Sequence, residues 1–314
     1  MTSYGQLVLL ILPVYALIGL GVLLRALGWM APEADKSFLK TVINCLYPCL
    51  IFESVFRNQA LKVPANLVYA PLTGFVIIVA SFAISHVVGR LVGLKKGEGL
   101  RTFAFASGIN NYGYIPLLLM AGLFGTDSLG LLLVHNVGCE AAIWTVGILI
   151  LAGVSPREGW RHLFNGPVIA LVLGLVVNVG GLDHYCPAAL LEAVHEAGAC
   201  AVPLGLMLIG ATLEGFLAKP RELFSAQVSL PAVILRLGVF PLMILAMAKF
   251  LPFSVELKRV LLVQAAMPAG LMYIVIVKHY GGQSLTAVRV SAISMMVAVF
   301  TIPLWLRWGL AWLF

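Results

Sequence analysis

Ten apolar runs follow one another along this chain, each about long enough to cross a bilayer, with only short polar stretches between them. They fall at roughly 6–24, 38–56, 67–91, 101–123, 128–152, 165–182, 198–217, 226–250, 258–280 and 285–312 of the 314 residues. A hydrocarbon core about 30 Å thick takes about 20 apolar residues per helix, so ten spans use nearly the whole chain. Composition closes the alternative, because 61% of the residues are hydrophobic and only 11% charged. An ordinary soluble domain needs about 25% charged residues to cover its surface. A water-soluble enzyme, a disordered chain and a nucleic-acid binder are therefore excluded. The expectation is an all-α membrane protein, a single transmembrane domain over 1–314.

Charge is used for topology. The formal net charge is +7, and the basic residues sit in the short loops, as the positive-inside rule requires. Loops after odd-numbered spans hold Arg25, Lys36, Lys40, Arg90, Lys95, Lys96, Arg101, Arg157, Arg161, Lys219, Arg221 and Lys278; the other side holds Arg57, Lys62, Lys249, Lys258, Arg259 and Arg307. Both termini are thus expected outside. The first run is too long for a signal peptide and lacks a basic leader, so it reads as a retained span. Residues 186–197 read as a short interfacial helix before span 7, and Trp29, Trp160, Trp308 and Trp312 as interfacial anchors. The five cysteines, Cys45, Cys49, Cys139, Cys186 and Cys200, show neither disulfide nor zinc spacing and read as small core residues. No metal site and no cofactor are expected.

The two halves resemble each other. Phe124-Gly125-Thr126-Asp127-Ser128-Leu129 matches Tyr280-Gly281-Gly282-Gln283-Ser284-Leu285, Arg101 matches Arg259, Pro71 matches Pro231 and Pro48 matches Pro203, all at spacings of 155–160 residues. A repeat of five spans is odd, so the second copy enters the membrane from the other side. The expected halves are 1–153 and 154–314, an inverted-topology repeat of the kind secondary transporters use. Both halves carry a broken helix at the corresponding place. Span 4 holds Asn110, Asn111, Tyr112, Gly113 and Pro116; span 9 holds Gln264, Met267, Pro268 and Gly270, with Asn110 opposite Pro268. Buried amides, glycine and proline all oppose a continuous helix in hydrocarbon, and paired breaks point to a binding site. Half-helix N-termini there would suit an anion.

Glu140 lies near the middle of span 5, with Asn136 and Trp144 one turn to either side. An intramembrane carboxylate is a functional candidate by default. It reads either as a proton-coupling group or as the fixed partner of Arg236 in span 8 or Arg289 in span 10. Those arginines could instead compensate an anionic substrate. No ATP-binding or metalloprotease pattern occurs.

These residues resemble the auxin efflux carrier family, which contains the plant PIN proteins and their bacterial relatives. The likeness covers the whole chain. It is carried most by the break at Asn110, Asn111, Gly113 and Pro116, by Ala266-Met267-Pro268-Ala269, and by Thr301-Ile302-Pro303-Leu304-Trp305. The resemblance implies ten helices in two inverted repeats, with helices 4 and 9 broken and crossed, similar to sodium/bile-acid symporters and sodium/proton antiporters. Spans 1, 2, 6 and 7 would form a scaffold, with a homodimer through spans 2 and 7. Spans 3–5 and 8–10 would form a transport unit moving as an elevator. It further implies a secondary carrier of a small organic anion, auxin-like or dicarboxylic, in the bacterial inner membrane. Asn110 or Asn111, together with Pro268, would be the crossover contacts, with Tyr112, Gln264 and Met267 beside them. The family's usual Asn-x-Gly-x-x-Gly-x-Pro is altered here, since Asn110 and Asn111 stand six and five before Pro116 and Tyr114 replaces the second glycine. The coupling ion could be a proton or sodium, or there could be none. A sensor retaining the fold and an ion-coupled symporter of the bile-acid type are the alternatives.

Overall fold

The computed structural model spans residues 1–314 and describes all but 1–3, 57, 126–127, 154–164, 218–222 and 272. Arg57, Thr126, Asp127, Arg157, Trp160, Arg161, Lys219 and Arg221, which bear on topology, anchoring or the repeat, lie outside the described residues. A spanning segment in lipid must satisfy its own backbone, which leaves the helix as the solution for a single run. The chain accordingly folds as α1 (Tyr4–Ala26), α2 (Pro32–Val55), α3 (Pro64–Leu91), α4 (Leu100–Gly108), α5 (Tyr114–Phe124), α6 (Leu129–Ala152), α7 (Gly166–Val179), α8 (Ala188–Ala199), α9 (Ala201–Leu217), α10 (Ala226–Phe250), α11 (Val255–Ala265), α12 (Tyr273–His279) and α13 (Ser284–Leu313). Among the described residues the one strand-like pairing is an isolated bridge, Asn110 with Ala269.

Among the described residues, seven stretches are long and apolar enough to cross a membrane: α1, α2, α3, α6, α8 with α9, α10 and α13. The apolar runs at 101–123 and 258–280 are not single helices. Each splits into two short ones, α4–α5 and α11–α12, around an irregular segment. The expected interfacial helix forms as α8, but only Cys200, itself in helical conformation, separates it from α9. The two together make one apolar run of 30 residues.

Glycines set the helix spacing. A Cβ on Gly21 of α1 would lie 1.9 Å from the Met207 carbonyl oxygen of α9, and one on Gly210 of α9 would lie 1.9 Å from that of Ile18. Likewise Gly74 of α3 faces the His135 carbonyl at 2.2 Å, and Gly138 of α6 faces that of Pro71 at 1.8 Å. Such reciprocal pairs bring backbones into contact where lipid offers no hydrophobic drive for association. Two apolar cores result. The second of them draws its buried residues from α3, α4, α6, α10, α12, α13 and the segments between them, whereas α5 and α11 pack in the first core with α1, α2 and α9.

Among the described residues, three helices carry a π turn: Val42–Leu46 in α2, Ile143–Gly147 in α6 and Leu235–Val239 in α10. The extra residue rotates the remainder of the helix and often marks a working site. In α10 the cause is legible. Pro241 supplies no N–H to the Leu237 carbonyl, and that carbonyl instead accepts the Trp305 indole N–H at 2.7 Å. The cysteines correct the expectation of core residues: Cys139 alone is buried, Cys49 and Cys186 are half-buried, and Cys45 and Cys200 are exposed on the bundle's outer surface.

Candidate functional site at the paired helix breaks

The break between α4 and α5 covers 109–113. Gly113 precedes the first residue of α5 with a backbone (φ −91°, ψ −109°) that does not continue a helix. Pro116 lies within the first turn of α5, where its missing N–H costs nothing. The second break runs over 266–271. The two lie antiparallel and bond through the backbone: Asn111 N–H donates to the Pro268 carbonyl at 2.7 Å, and Gly270 N–H donates to the Ile109 carbonyl at 3.1 Å. Backbone groups freed by each break are thus partly satisfied by the other. Ser294 Oγ accepts the Ala269 N–H at 3.1 Å, and Ser291 donates its hydroxyl to the Gly270 carbonyl at 2.7 Å, so α13 buttresses the second break.

A chain of buried amides ties the breaks to α6. Asn110 Nδ2 donates to Gln264 Oε1 at 2.7 Å; Gln264 Nε2 donates to Asn136 Oδ1 at 2.9 Å; Asn136 Nδ2 donates to the Tyr112 carbonyl at 2.9 Å. Asn110 Oδ1 is buried without a partner among the described residues. Asn111 points the other way, and among the described residues its side-chain amide has no hydrogen-bond partner. It faces a cavity of about 330 Å³.

That cavity joins both breaks through Asn111, Tyr112, Gly113, Gly270 and Leu271 and extends to Leu39 and Asn165, near one end of the bundle. Its wall is mostly apolar and aromatic, with Tyr47, Tyr114, Trp144 and Tyr273 joining Tyr112. Among the described residues, Glu140 is the only charged one lining it. Tyr112 Oη donates to Glu140 Oε1 at 2.6 Å, and Trp144 Nε1 donates to Oε2 at 2.8 Å. The Tyr112 and Tyr273 rings pack with centroids 5.9 Å apart.

The sequence-derived candidates therefore separate. Asn111, Tyr112, Gly113, Asn136, Glu140 and Gly270 line the cavity. Asn110, Gln264, Met267 and Pro268 are buried behind its wall and hold the breaks together. The proposed pairing of Glu140 with an arginine is corrected: its hydrogen-bond partners are Tyr112 and Trp144, and neither Arg236 nor Arg289 is among them. Arg236 is fully buried, its guanidinium 4.9 Å from the Phe240 ring and its three nitrogens without a hydrogen-bond partner among the described residues. Arg289 is half-buried on α13, away from the cavity lining. His135 is buried with Nδ1 at 3.1 Å from both Thr73 Oγ1 and the Ala70 carbonyl, outside the site. Sequence reasoning missed Tyr47, Tyr114 and Tyr273; the available signal was an aromatic residue within or one turn from each break and at the proline of span 2.

Comparison with known proteins places the chain among membrane transporters. The family model described as "Membrane transport protein" matches residues 7–159 and 154–306. An uncharacterized transporter of Methanothermobacter thermautotrophicus is 28% identical over 304 residues, covering 94% of this chain and 96% of that protein. The uncharacterized transporter MJ1031 of Methanocaldococcus jannaschii is 22% identical over 85% of this chain and 87% of its own length. The uncharacterized transporter YfdV of Escherichia coli is 21% identical, over 94% and 95% respectively.

Proposed function

The chain belongs to the membrane transport protein family, which is the auxin efflux carrier family, and from that premise we propose that it is a secondary carrier of a small organic anion. The anion occupies the cavity at the paired breaks. The observation that carries this reading is that one cavity is walled by unwound backbone from both breaks, Asn111–Gly113 and Gly270–Leu271. Irregular backbone at such depth is tolerated where it lines a cavity or packs in protein. The free amide of Asn111 and the N-terminus of α5 at Tyr114 supply donors for a carboxylate. The apolar, aromatic wall favours an acid with one carboxylate and an apolar body over a dicarboxylic acid, whose second charge would find no cation there.

Movement is by alternating access of elevator type. The second core, built from α3, α4, α6, α10, α12 and α13, supports a moving unit to which α5 and α11 are joined through the two breaks, giving α3–α6 and α10–α13 against a scaffold of α1, α2, α7, α8 and α9. We read the chain as ten spans in two inverted repeats; the two stretches matched by the family model meet where the repeats meet. With the termini outside, the cavity's extension to Leu39 and Asn165 makes this the inward-open state of a multi-pass protein of the bacterial inner membrane. A homodimer through α2 and α8–α9 completes the reading.

Counterflow in proteoliposomes tests the function. Labelled indole-3-acetate and phenylacetate should enter faster when the same unlabelled acid is inside, with saturation and above protein-free vesicles, and succinate should not. Binding of the acids without any stimulated flux would replace the carrier with a sensor. Stimulation by succinate alone would overturn the monocarboxylate assignment.

A further inference from the structure

The buried charges of the moving unit do not match the cargo just assigned to it. Among the described residues lining the cavity there is no lysine, arginine or histidine, and there is one carboxylate, Glu140. A monocarboxylate entering this space meets a like charge in a low-dielectric wall, where repulsion is large. Arg236 lies in the same body, across from Cys139, the residue next to Glu140, with all three guanidinium nitrogens buried and unpaired among the described residues. A guanidinium keeps its proton in proteins, so this cation stays wherever the unit goes.

Resting on the reading of an apolar monocarboxylate carrier, we propose that the acid is carried together with one proton held on the Glu140 carboxylate, and that Arg236 is the fixed charge enforcing that one-to-one ratio. When empty, ionised Glu140 and Arg236 cancel. Bound acid anion adds one negative charge, and a proton taken from water onto a Glu140 oxygen restores the balance. The two mixed states, empty with Glu140 protonated and loaded with Glu140 ionised, each leave one net charge in the hydrocarbon, which is costly to move. Only the balanced states cross, so the proton accompanies the acid and leaves Glu140 when the acid leaves.

Geometry links the proton to the binding residues. Both Glu140 oxygens accept hydrogen bonds, from Tyr112 Oη at 2.6 Å and from Trp144 Nε1 at 2.8 Å. A proton arriving on either oxygen needs an acceptor of its own, and the Tyr112 hydroxyl, now accepting rather than donating, is the group in reach. Tyr112 belongs to the break and stands next to Asn111, the free amide in the cavity. The groups around Glu140 from the packed elements are Tyr112 of the first break, Tyr273 of α12, Tyr47 of α2, Cys139 and Trp144 of its own helix, and Arg236 of α10 beyond Cys139. His135 is turned away onto Thr73. Glu140 is therefore the one carboxyl at the site available to exchange a proton with the cargo.

The test is isothermal titration of the purified full-length protein with phenylacetate and indole-3-acetate at mildly alkaline pH, in two buffers of different ionisation enthalpy. The difference in heat gives protons taken up per acid bound. The expected result is an uptake approaching one for the wild type and near zero for Glu140→Gln, whose residual binding, read from the same titration, should no longer vary with pH. Arg236→Gln, if it folds, should lower the uptake, because Glu140 then starts protonated. Binding with no proton uptake by the wild type overturns the proposal while leaving the carrier reading intact. Undiminished uptake in Glu140→Gln overturns the assignment to this residue. Absence of binding by both acids overturns the monocarboxylate reading, and this inference with it.

Discussion

Replacing Gln264 with leucine is the sharpest perturbation of the crossover itself. The side chain is buried, and leucine preserves nearly its volume, so packing changes little. What is lost is two hydrogen bonds, from Asn110 Nδ2 at 2.7 Å and to Asn136 Oδ1 at 2.9 Å. A stranded buried polar group costs about 1–3 kcal/mol; Asn136 Oδ1 is stranded, and Asn110 Nδ2 keeps only its 3.4 Å bond to the residue 264 carbonyl, so the loss is about 2–4 kcal/mol. At roughly 2 °C per kcal/mol for a chain of this size, the apparent Tm in detergent should fall by about 4–8 °C. Tryptophan-fluorescence melting reads this directly. Asn110→Ala in the Gln264→Leu background should add little, since only the long 3.4 Å bond to the residue 264 carbonyl is left to lose, whereas in the wild type it should cost about 1–3 kcal/mol. A Gln264→Leu protein that melts within about a degree of wild type, or a double variant whose losses simply add, would refute the amide chain as the tie between the breaks.

Asn111→Ala, which removes no hydrogen bond within the protein, should leave Tm within about 1 °C of wild type while abolishing stimulated counterflow; normal flux would place the substrate elsewhere. Gly138→Ala drives a methyl into the Pro71 carbonyl and should destabilise by at least about 1–3 kcal/mol, read as a clear loss of Tm and expression. Tyr112→Phe removes one of the two donors to Glu140 and should slow flux more than it lowers Tm, an ordering that comparison of initial rates and melting on one preparation checks. Trp305→Phe leaves the Leu237 carbonyl without its donor beside the π turn, costing about 1–2 kcal/mol, seen as lower Tm with unchanged substrate affinity.

Much of the fold could be read from the sequence because the bilayer restricts the choices. A run of about 20 apolar residues has only helix available to it, and the break residues Asn110, Gly113, Pro268 and Gly270 announced themselves as residues that helices in lipid avoid. Less was legible where two helices decide jointly. Gly21, Gly74, Gly138 and Gly210 each look like ordinary glycines in apolar runs, and their meaning lies in the carbonyl of another helix less than 2.5 Å from where a Cβ would stand. The π turns were hidden for a similar reason. Pro241 predicts a freed carbonyl at Leu237, but that it would be taken by Trp305, 68 residues away, is a tertiary fact.

At the site, the limit of sequence reading was direction rather than identity. Asn110 and Asn111 are adjacent and chemically the same, and spacing from Pro116 cannot divide their roles. The extended backbone of the break divides them, because successive side chains of an extended segment point to opposite sides. One amide is sent into the packed core toward Gln264, the other into the cavity. The surroundings of Glu140 were hidden in the same way. From the sequence, a proton-coupling role and an arginine partner stood side by side for this carboxylate, since charge is costly in hydrocarbon without a counter-charge. The fold meets that need at a distance: Tyr112 and Trp144 donate to the two carboxylate oxygens, and Arg236, without a hydrogen-bond partner among the described residues, sits beyond Cys139 in the same body. A direct ion pair would lock both groups and leave Glu140 nothing to exchange. Keeping the opposite charges apart, one fixed and one facing the cavity, leaves the carboxylate free to respond to whichever ligand enters.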